Sequence, residues 1–593
     1  MEVVHPRPQL TRPDWIDLSG PWGFAYDDAD VGLVESWQAR TEVFARTIEV
    51  PFPPESTRSG IADTGFHPVV WYRRTFARPE RSDTDRLLLH FGAVDYRAHV
   101  WVDGQLVATH EGGHTPFSAD ITDQLSAGGD GDHILVVRAE DRPEDMRQPR
   151  GKQDWELAPH VIWYARTTGI WQPVWLEPVP ATRVESVRWT PDADSASLRV
   201  AVRLTPAGGE PLRIRVRLTM DGRTLVDDTY AVLGPEVERD IVLSPALVSL
   251  DREQSLWSPE HPHLIDATIT LLDDNGVVDE VRSYTAMRSV RAEAGRILLN
   301  GHPYFLRMVL AQNFWPESHL AAPDPDALRR EVELARRLGF NGLRLHQKIE
   351  DPRFLYWCDR LGMLVWEEMP SAYEFSTTTV DRLTQEWSEV LARDHNHPCV
   401  VAWVPFNESW GVPAVAQSPQ QQAAVRALYH LTKAVDGSRP VIGNDGWEHV
   451  VTDVMTVHDY TGDAETLRAR YGDRQSVEET VRHVRPGYRA VIVDGAEYAG
   501  EPVILSECGG FTLETGDGEV WPGYGKVDDP QALLAGYRSL VEAITDSTAL
   551  AGFCYTQLTD TLQEKNGLLT EDRKPKVAFE DIAAITRRTS SAT

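Results

Sequence analysis

Cysteine is scarce in this chain: Cys358, Cys399, Cys508 and Cys554 are the four among 593 residues, and they lie far apart in sequence. That spacing argues against a disulfide framework and for reduced thiols in an interior. Long apolar runs are missing too, so no membrane-spanning segment is expected. The opening MEVVHPRPQL has neither a basic leader nor an apolar stretch of secretory type, and a cytoplasmic location is expected from it. Positive charge is in deficit. The 59 Lys and Arg stand against 90 Asp and Glu, a formal net charge of −31 that opposes contact with nucleic acid or an anionic membrane. There is no HExxH, calcium loop or Walker loop, and no GxGxxG follows a first strand, so neither a metal nor a cofactor is expected.

What the chain has in quantity is length and tryptophan. A chain of this size divides into several cores. Nineteen tryptophans fit either packed interiors or the stacking of aromatic faces on sugar rings.

The first third alternates in short runs, WYRRTF, RLLLHF, YRAHVWV and HILVVRA, separated by Gly, Asp and Pro, as in a β-sandwich. From 184 to 290 the rhythm repeats in a smaller unit of immunoglobulin size, with ASLRVAVRL and LRIRVRLTM as half-buried strands. Beyond it, PDALRREVELARRLG and DPRFLYWCDRLG have helical spacing, close on Gly, and lead straight into short apolar strands. The region holds eight such strands: FLRMVLAQN, FNGLRLH, MLVWEEMP, VVAWVPFNE, PVIGNDG, VMTVHDY, PVILSECGG and LAGFCYTQL. Their number and spacing predict a (β/α)8 TIM barrel over 291–593, whose strand ends gather at one mouth.

Those endings hold Arg344, His346, Glu367, Glu368, Asn407, Glu408, Asn444, Asp445, His458, Asp459, Tyr460, Glu507, Tyr555 and Gln557. Glu408 and Glu507 each close an apolar run, on the fourth and seventh strands. Two carboxylates facing one another across a mouth are what glycosidic cleavage requires, one to protonate the leaving oxygen and one to attack or direct water. Pairing with arginines as scaffolding is the competing reading. Arg344 fits either a ligand clamp or a neutraliser of acidic neighbours, and His346 and His458 fit either a pocket or a satisfied interior. Glu367 and Glu368, adjacent on a strand, point to opposite faces, so at most one enters the pocket. Two further stretches are aromatic, WELAPHVIWYARTTGIWQPVW at 155–175 and WPGYG at 521–525; the first fits either a seam between the N-terminal sandwich and the barrel, with a loop reaching the pocket, or an ordinary interdomain core.

EGGHTPFSADIT, RTTGIWQPVWLE, NGLRLH, DPRFLYWCDRLGMLVWEEMP, DHNHPCVVAWVPFNES and ILSECGG, in this order, resemble glycoside hydrolase family 2, which includes β-galactosidases, β-glucuronidases and β-mannosidases. The resemblance covers nearly the whole chain. It implies a jelly-roll sugar-binding-type domain over 1–183, an immunoglobulin-like sandwich over 184–290 and a catalytic barrel over 291–593. It further implies Glu507 as nucleophile and Glu408 as acid/base of a retaining mechanism, and Asn407 as a contact to the sugar C2 hydroxyl. Arg344, His346, Glu368, Trp447, His458, Tyr460 and Tyr555 become expected substrate contacts.

Three departures bear on the substrate. Cys508 comes after the nucleophile where the family usually has an aromatic. Glu564, Lys565 and Asn566 stand where a β-glucuronidase carries an Asn-x-Lys pair for the sugar carboxylate, and a glutamate repels an anionic sugar. The chain also stops soon after the barrel, unlike the long β-galactosidases. The expectation is an exo-acting glycosidase for neutral sugars of β-galactosidase type, with a glycoside or oligosaccharide as its partner. Arabinosidase, β-mannosidase, β-glucuronidase and a non-catalytic carbohydrate-binding protein are the alternatives. A homo-oligomer is left open.

Overall fold

Alternation in the first third becomes two facing sheets. The computed structural model of the protein describes residues 4–79, 85–128, 131–205, 211–243, 255–513, 520–521 and 523–592. The first sandwich packs a four-stranded sheet (Ile16–Asp17, Val174–Pro180, Asp85–Phe91, Phe117–Asp120) on a six-stranded one (Arg46–Val50, Gly20–Tyr26, Val69–Phe76, His133–Glu140, Arg97–Val102, Gln105–Glu111). Leu87, Leu89, Val100, Leu135 and Val137, each fully buried, lie in the core between them.

The second sandwich sets Arg183–Asp192, Ser197–Thr205 and Glu236–Val242 against Arg223–Ala231, Arg213–Met220, Ile265–Leu272 and Val277–Thr285. In Arg213–Met220 the period of two is explicit: Ile214, Val216 and Leu218 are buried while Arg213, Arg215 and Arg217 are exposed. The residues ahead of Ile16 bridge the two sandwiches: Arg7 and Arg12 pair with Glu177 of the first, at 2.8 and 3.1 Å. Thr11 bridges Arg282, Arg12 pairs with Asp279 at 2.8 Å, and Leu10 joins the second core.

In the barrel, seven strands run parallel. In chain order they are Leu306–Ala311, Gly342–Leu345, Leu364–Glu368, Val400–Val404, Met455–His458, Val503–Gly509 and Leu550–Thr556. The expected fifth strand, 440–446, is not a ladder strand. It lies along the fourth by two single bridges, Trp403 with Val441 and Asn407 with Asp445, and Gly446 accepts from the His458 N–H at 3.2 Å. Pro440 brings no N–H, and the Val441 N–H is taken by the Asp453 side chain, so a regular ladder cannot form there. The segment still fills the gap between the fourth strand and Met455–His458. Helices start where the sequence signals them: Asp324, Asp351, Ser376, Ser418 and Asp529 cap first turns, and four of these precede a Pro.

One long segment of the first sandwich, 141–168, leaves its sheets and lies over the barrel mouth. The Arg150 and Gly151 N–H groups donate to Ser371 O, both at 3.1 Å, and the Tyr373 N–H donates to Met146 O at 2.8 Å. The four cysteines are free and buried.

Candidate active site

The strand ends converge on Arg344, which is fully buried on Gly342–Leu345. Its Nε and Nη2 donate to Glu368 Oε2 at 2.9 and 2.7 Å, Nη2 also donates to Asn407 Oδ1 at 2.8 Å, and Nη1 donates to Glu507 Oε1 at 2.7 Å. Asp445 Oδ2 lies 2.8 Å from Nη2. His458 forms a second hub. Its Nε2 faces Asp445 Oδ2 at 2.9 Å and its Nδ1 faces Glu408 Oε1 at 2.8 Å, with Glu507 Oε2 3.5 Å away. Tyr460 donates its hydroxyl to Glu507 Oε2.

Burial works against charge on each of these groups, and opposite charges overcome it. His458 and Arg344 bring Glu507 down to about 2. Arg344 and His458 hold Asp445 well below the usual carboxylate range. Glu507 and Asp445 raise His458 to about 10, so its imidazolium persists at neutral pH. Glu368 goes the other way: burial lifts it to about 8, with Arg344 opposing.

Glu408 sits beyond its strand, in a turn. Both it and Ser409 take left-handed backbone angles, φ 53° and 61°, a conformation that costs a non-glycine residue about 1 kcal/mol or more. The turn is held on every side. The Glu408 N–H donates to Asp445 O at 3.0 Å, the Ser409 N–H to Asn444 Oδ1 at 3.0 Å, and Ser409 Oγ to Glu448 at 2.6 Å. Its carboxylate stays the more accessible of the pair, with side-chain exposure of 15% against 7% for Glu507. One oxygen of each, with a nitrogen of His458, lies within 4.8 Å of the others.

That trio also has the spacing of metal ligands, but His458 presents an N–H to a carboxylate on either side, which leaves it no lone pair for an ion. A second group, Asp359, His397 and Cys399, has similar spacing. Asp359 there accepts from Tyr284, His397 and the Cys399 N–H, a junction of the second sandwich with the barrel.

Of the residues singled out in the sequence, Glu408, Glu507, Asn407, Arg344, Glu368, His458 and Tyr460 come together. His346, held neutral chiefly by burial, adds its Nδ1 at 2.9 Å from Glu368, and the Trp447 ring meets His458 edge-on at 5.4 Å. Tyr555 does not join them. Its ring points out of the barrel onto Tyr537 of the helix Pro530–Thr545 and fills the space over Gly509, while Thr556 faces inward, 3.3 Å from the Tyr460 hydroxyl. The two-residue period of the strand puts neighbours on opposite faces, so the inward contact of strand eight is the next residue. Glu367 likewise points out, toward Arg393, while Glu368 points in.

Asp445 stood among the strand ends with no role expected of it, and Lys152 carried no signal in the sequence at all. Lys152 arrives from the segment over the mouth and donates to Glu564 at 2.7 Å, both side chains buried, with Gln312 donating to the same oxygen at 3.2 Å. Lys565 turns to Glu571, and Asn566 accepts from Gln557. At the ends of strands one, two and eight, the buried oxygens Gln312 Oε1, Gln347 Oε1 and Gln557 Oε1 have no hydrogen-bond partner in the protein. No local pattern announces these residues, since each depends on a partner brought from another strand or domain. Tyr524 stacks on Tyr460 with centroids 3.3 Å apart and meets Trp521 edge-on at 5.1 Å, which brings these two rings to the same mouth.

Models of glycosyl hydrolases family 2 match three parts of the chain in order: the sugar binding domain at 16–148, a family 2 domain at 182–288 and the TIM barrel domain at 290–519. A β-galactosidase of Thermoanaerobacter pseudethanolicus is 27% identical over 406 residues, 67% of this chain and 51% of that protein. A β-glucuronidase of Canis lupus familiaris is 26% identical over 501 residues, covering 77% and 73%. The structure of a β-galacturonidase from Eisenbergiella tayi superposes with a TM-score of 0.74 at 19% identity, over 99% of this chain and 98% of that one, a likeness of fold. The chain thus spans about half the length of the Thermoanaerobacter relative. On the three ordered matches, the chain belongs to glycoside hydrolase family 2.

Proposed function

We propose that the protein is an exo-acting retaining glycosidase with Glu507 as nucleophile and Glu408 as acid/base. The observation that carries this is the approach of the two carboxylates, an oxygen of each within 4.8 Å of the other and both beside one His458 nitrogen, which accords with the short separation of a retaining pair rather than the wide one of an inverting pair. Glu507, kept ionised by His458 and Arg344, attacks the anomeric carbon while Glu408 gives its proton to the departing oxygen. The ester that forms consumes the charge of Glu507. Glu408, having given up its proton, then takes one from the water that releases the sugar with its original configuration. Asn407, oriented by Arg344, is the contact to the C2 hydroxyl. His458 keeps the two carboxylates in place from one side.

For the sugar, we favour a neutral glycone of galactoside type. Glu564 places a carboxylate among the unpartnered amide oxygens of the mouth, groups that accept from hydroxyls and repel a carboxylate. A uronide is the second reading, favoured by Lys152, a buried cation at the same place, and by the β-glucuronidases among the relatives. Nitrophenyl glycosides of both anomers of galactose, arabinose, glucose, mannose, xylose, fucose, glucuronic acid and galacturonic acid distinguish the two. Glu408→Ala and Glu507→Ala should each lower turnover of the preferred substrate by about 10²-fold or more, with azide restoring part of it as anomerically distinct products. Full activity in either variant, or no turnover of any glycoside by the wild type, sinks the assignment.

A further inference from the structure

The aromatic stretch at 155–175 has no part in the chemistry above, yet two of its tryptophans pack in one cluster with Trp410, two residues after Glu408. Trp155 and Trp163 come from the segment that crosses the mouth, Tyr373 from the loop after strand three, and Trp410 two residues after Glu408. Their rings form one cluster, with centroids 4.6 Å apart for Trp155 and Trp163, 4.9 Å for Trp155 and Tyr373, 5.1 Å for Tyr373 and Trp410, and 5.9 Å for Trp163 and Trp410. Hydrogen bonds lock it: Trp163 Nε1 donates to the Tyr373 hydroxyl at 2.8 Å, that hydroxyl donates to Gly151 O at 2.7 Å, and Gln563 Nε2 donates to Trp163 O at 2.7 Å.

This is not an ordinary core. Trp171, Trp366 and Trp403 are buried to 1% exposure or less, whereas all four residues of the cluster are only partly buried, with His160 stacked on one face of Trp163 at 4.8 Å, and Leu157 and Val161 on the same segment stand exposed. Rigid, pre-set aromatic faces open to solvent lose little freedom on binding, as a stacking platform requires. Their position says what stacks there. An acid/base protonates the oxygen of the leaving group, so that group departs past Glu408; Trp410 follows Glu408 by two residues in the same turn, and Tyr373 lies within electrostatic reach of its carboxylate.

We propose that Trp155, Trp163, Tyr373 and Trp410 form the leaving-group subsite, built by both the first sandwich and the barrel, and that it binds a ring-bearing aglycone by its flat face. The proposal rests on Glu408 being the acid/base. Its source, an aryl group or a second sugar, is an outcome of the test.

The test uses the glycone preferred in the panel, presented as a naphthyl glycoside, as a disaccharide and as the glycosyl fluoride, which has no ring to stack. Trp163→Ala and Trp410→Ala should lower kcat/KM about three- to tenfold per ring on the naphthyl glycoside, the disaccharide or both, and change fluoride hydrolysis less than twofold. The more affected of the two names the natural aglycone class. Trp163→Phe, which keeps a ring, should recover most of the loss. Equal losses on the fluoride and the ring-bearing substrates mean a structural role and overturn the proposal, as does no loss on either. Inactivity of the wild type on all three overturns the glycosidase reading itself.

Discussion

Arg344 divides one guanidinium among Glu368, Asp445 and Glu507 and also donates to Asn407. A planar fork can serve several oxygens at once where an ammonium cannot. Arg344→Met would leave the buried carboxylates of Asp445 and Glu507 without their guanidinium. Removing one partner of a buried pair costs about 3–5 kcal/mol, so urea unfolding should register a loss of that order, with turnover falling as well. Arg344→Lys should recover part of the stability and little of the activity. His458 makes a pH prediction. Its folded pKa of about 10 stands above the ordinary 6.5, so its contribution to stability is fully present below about pH 6.5 and is lost as pH rises through 10. Glu507 has the opposite sign: depressed to about 2 from 4.5, its contribution is present above about pH 4.5 and is lost as pH falls through 2. Melting curves of the wild type and His458→Gln should therefore differ most near pH 6 and converge by pH 10. A constant gap across that range would remove the imidazolium from the explanation.

At the scale of elements, the site is made by the turns and loops at the ends of the strands more than by the strands themselves. Glu408 lies in a left-handed turn past strand four, Asp445 on an irregular segment, and Lys152 on a crossing loop. Close approaches make such segments specific. At Gly151, where φ is +61°, a Cβ would stand 2.2 Å from Gln347 O; at Gly446, with φ +97°, it would stand 2.6 Å from the His458 ring. Gly151→Ala should therefore lift the crossing segment from the mouth, lowering kcat/KM severalfold and stability by about 1–3 kcal/mol. Wild-type kinetics in that variant would show that the segment tolerates displacement without effect on the site.

For the molecule as a whole, the first sandwich reaches into the barrel mouth. Lys152 and Glu564 are 412 residues apart in the chain and form a buried pair. Lys152→Met strands a buried carboxylate and should destabilise by about 3–5 kcal/mol, while the double variant Lys152→Met, Glu564→Leu should regain most of this. Additive losses in the double variant would mean that the two side chains do not act as a pair. The segment around Lys152 also brings Trp155 and Trp163 to the mouth, so changes in the first sandwich should register in kinetics as well as in stability.

The sequence by itself determined the layers and the two carboxylates. Strand alternation, helices closed by glycine and the spacing of strand ends come from local periodicity, and Glu408 and Glu507 were legible because each ends an apolar run. Periodicity could not say which strand-eight neighbour faces inward, since register depends on pairing with strands one and seven, and Thr556 rather than Tyr555 turned out to be the inward residue. Nor could it show that segment 440–446 bridges without forming a ladder, or that Lys152 meets Glu564. Those outcomes depend on contacts between residues remote in sequence, whose charges and rings shift one another only after folding has brought them together and removed water. Tertiary structure alone therefore decided the ionisation of His458 and Glu507 and the aromatic wall beside Glu408.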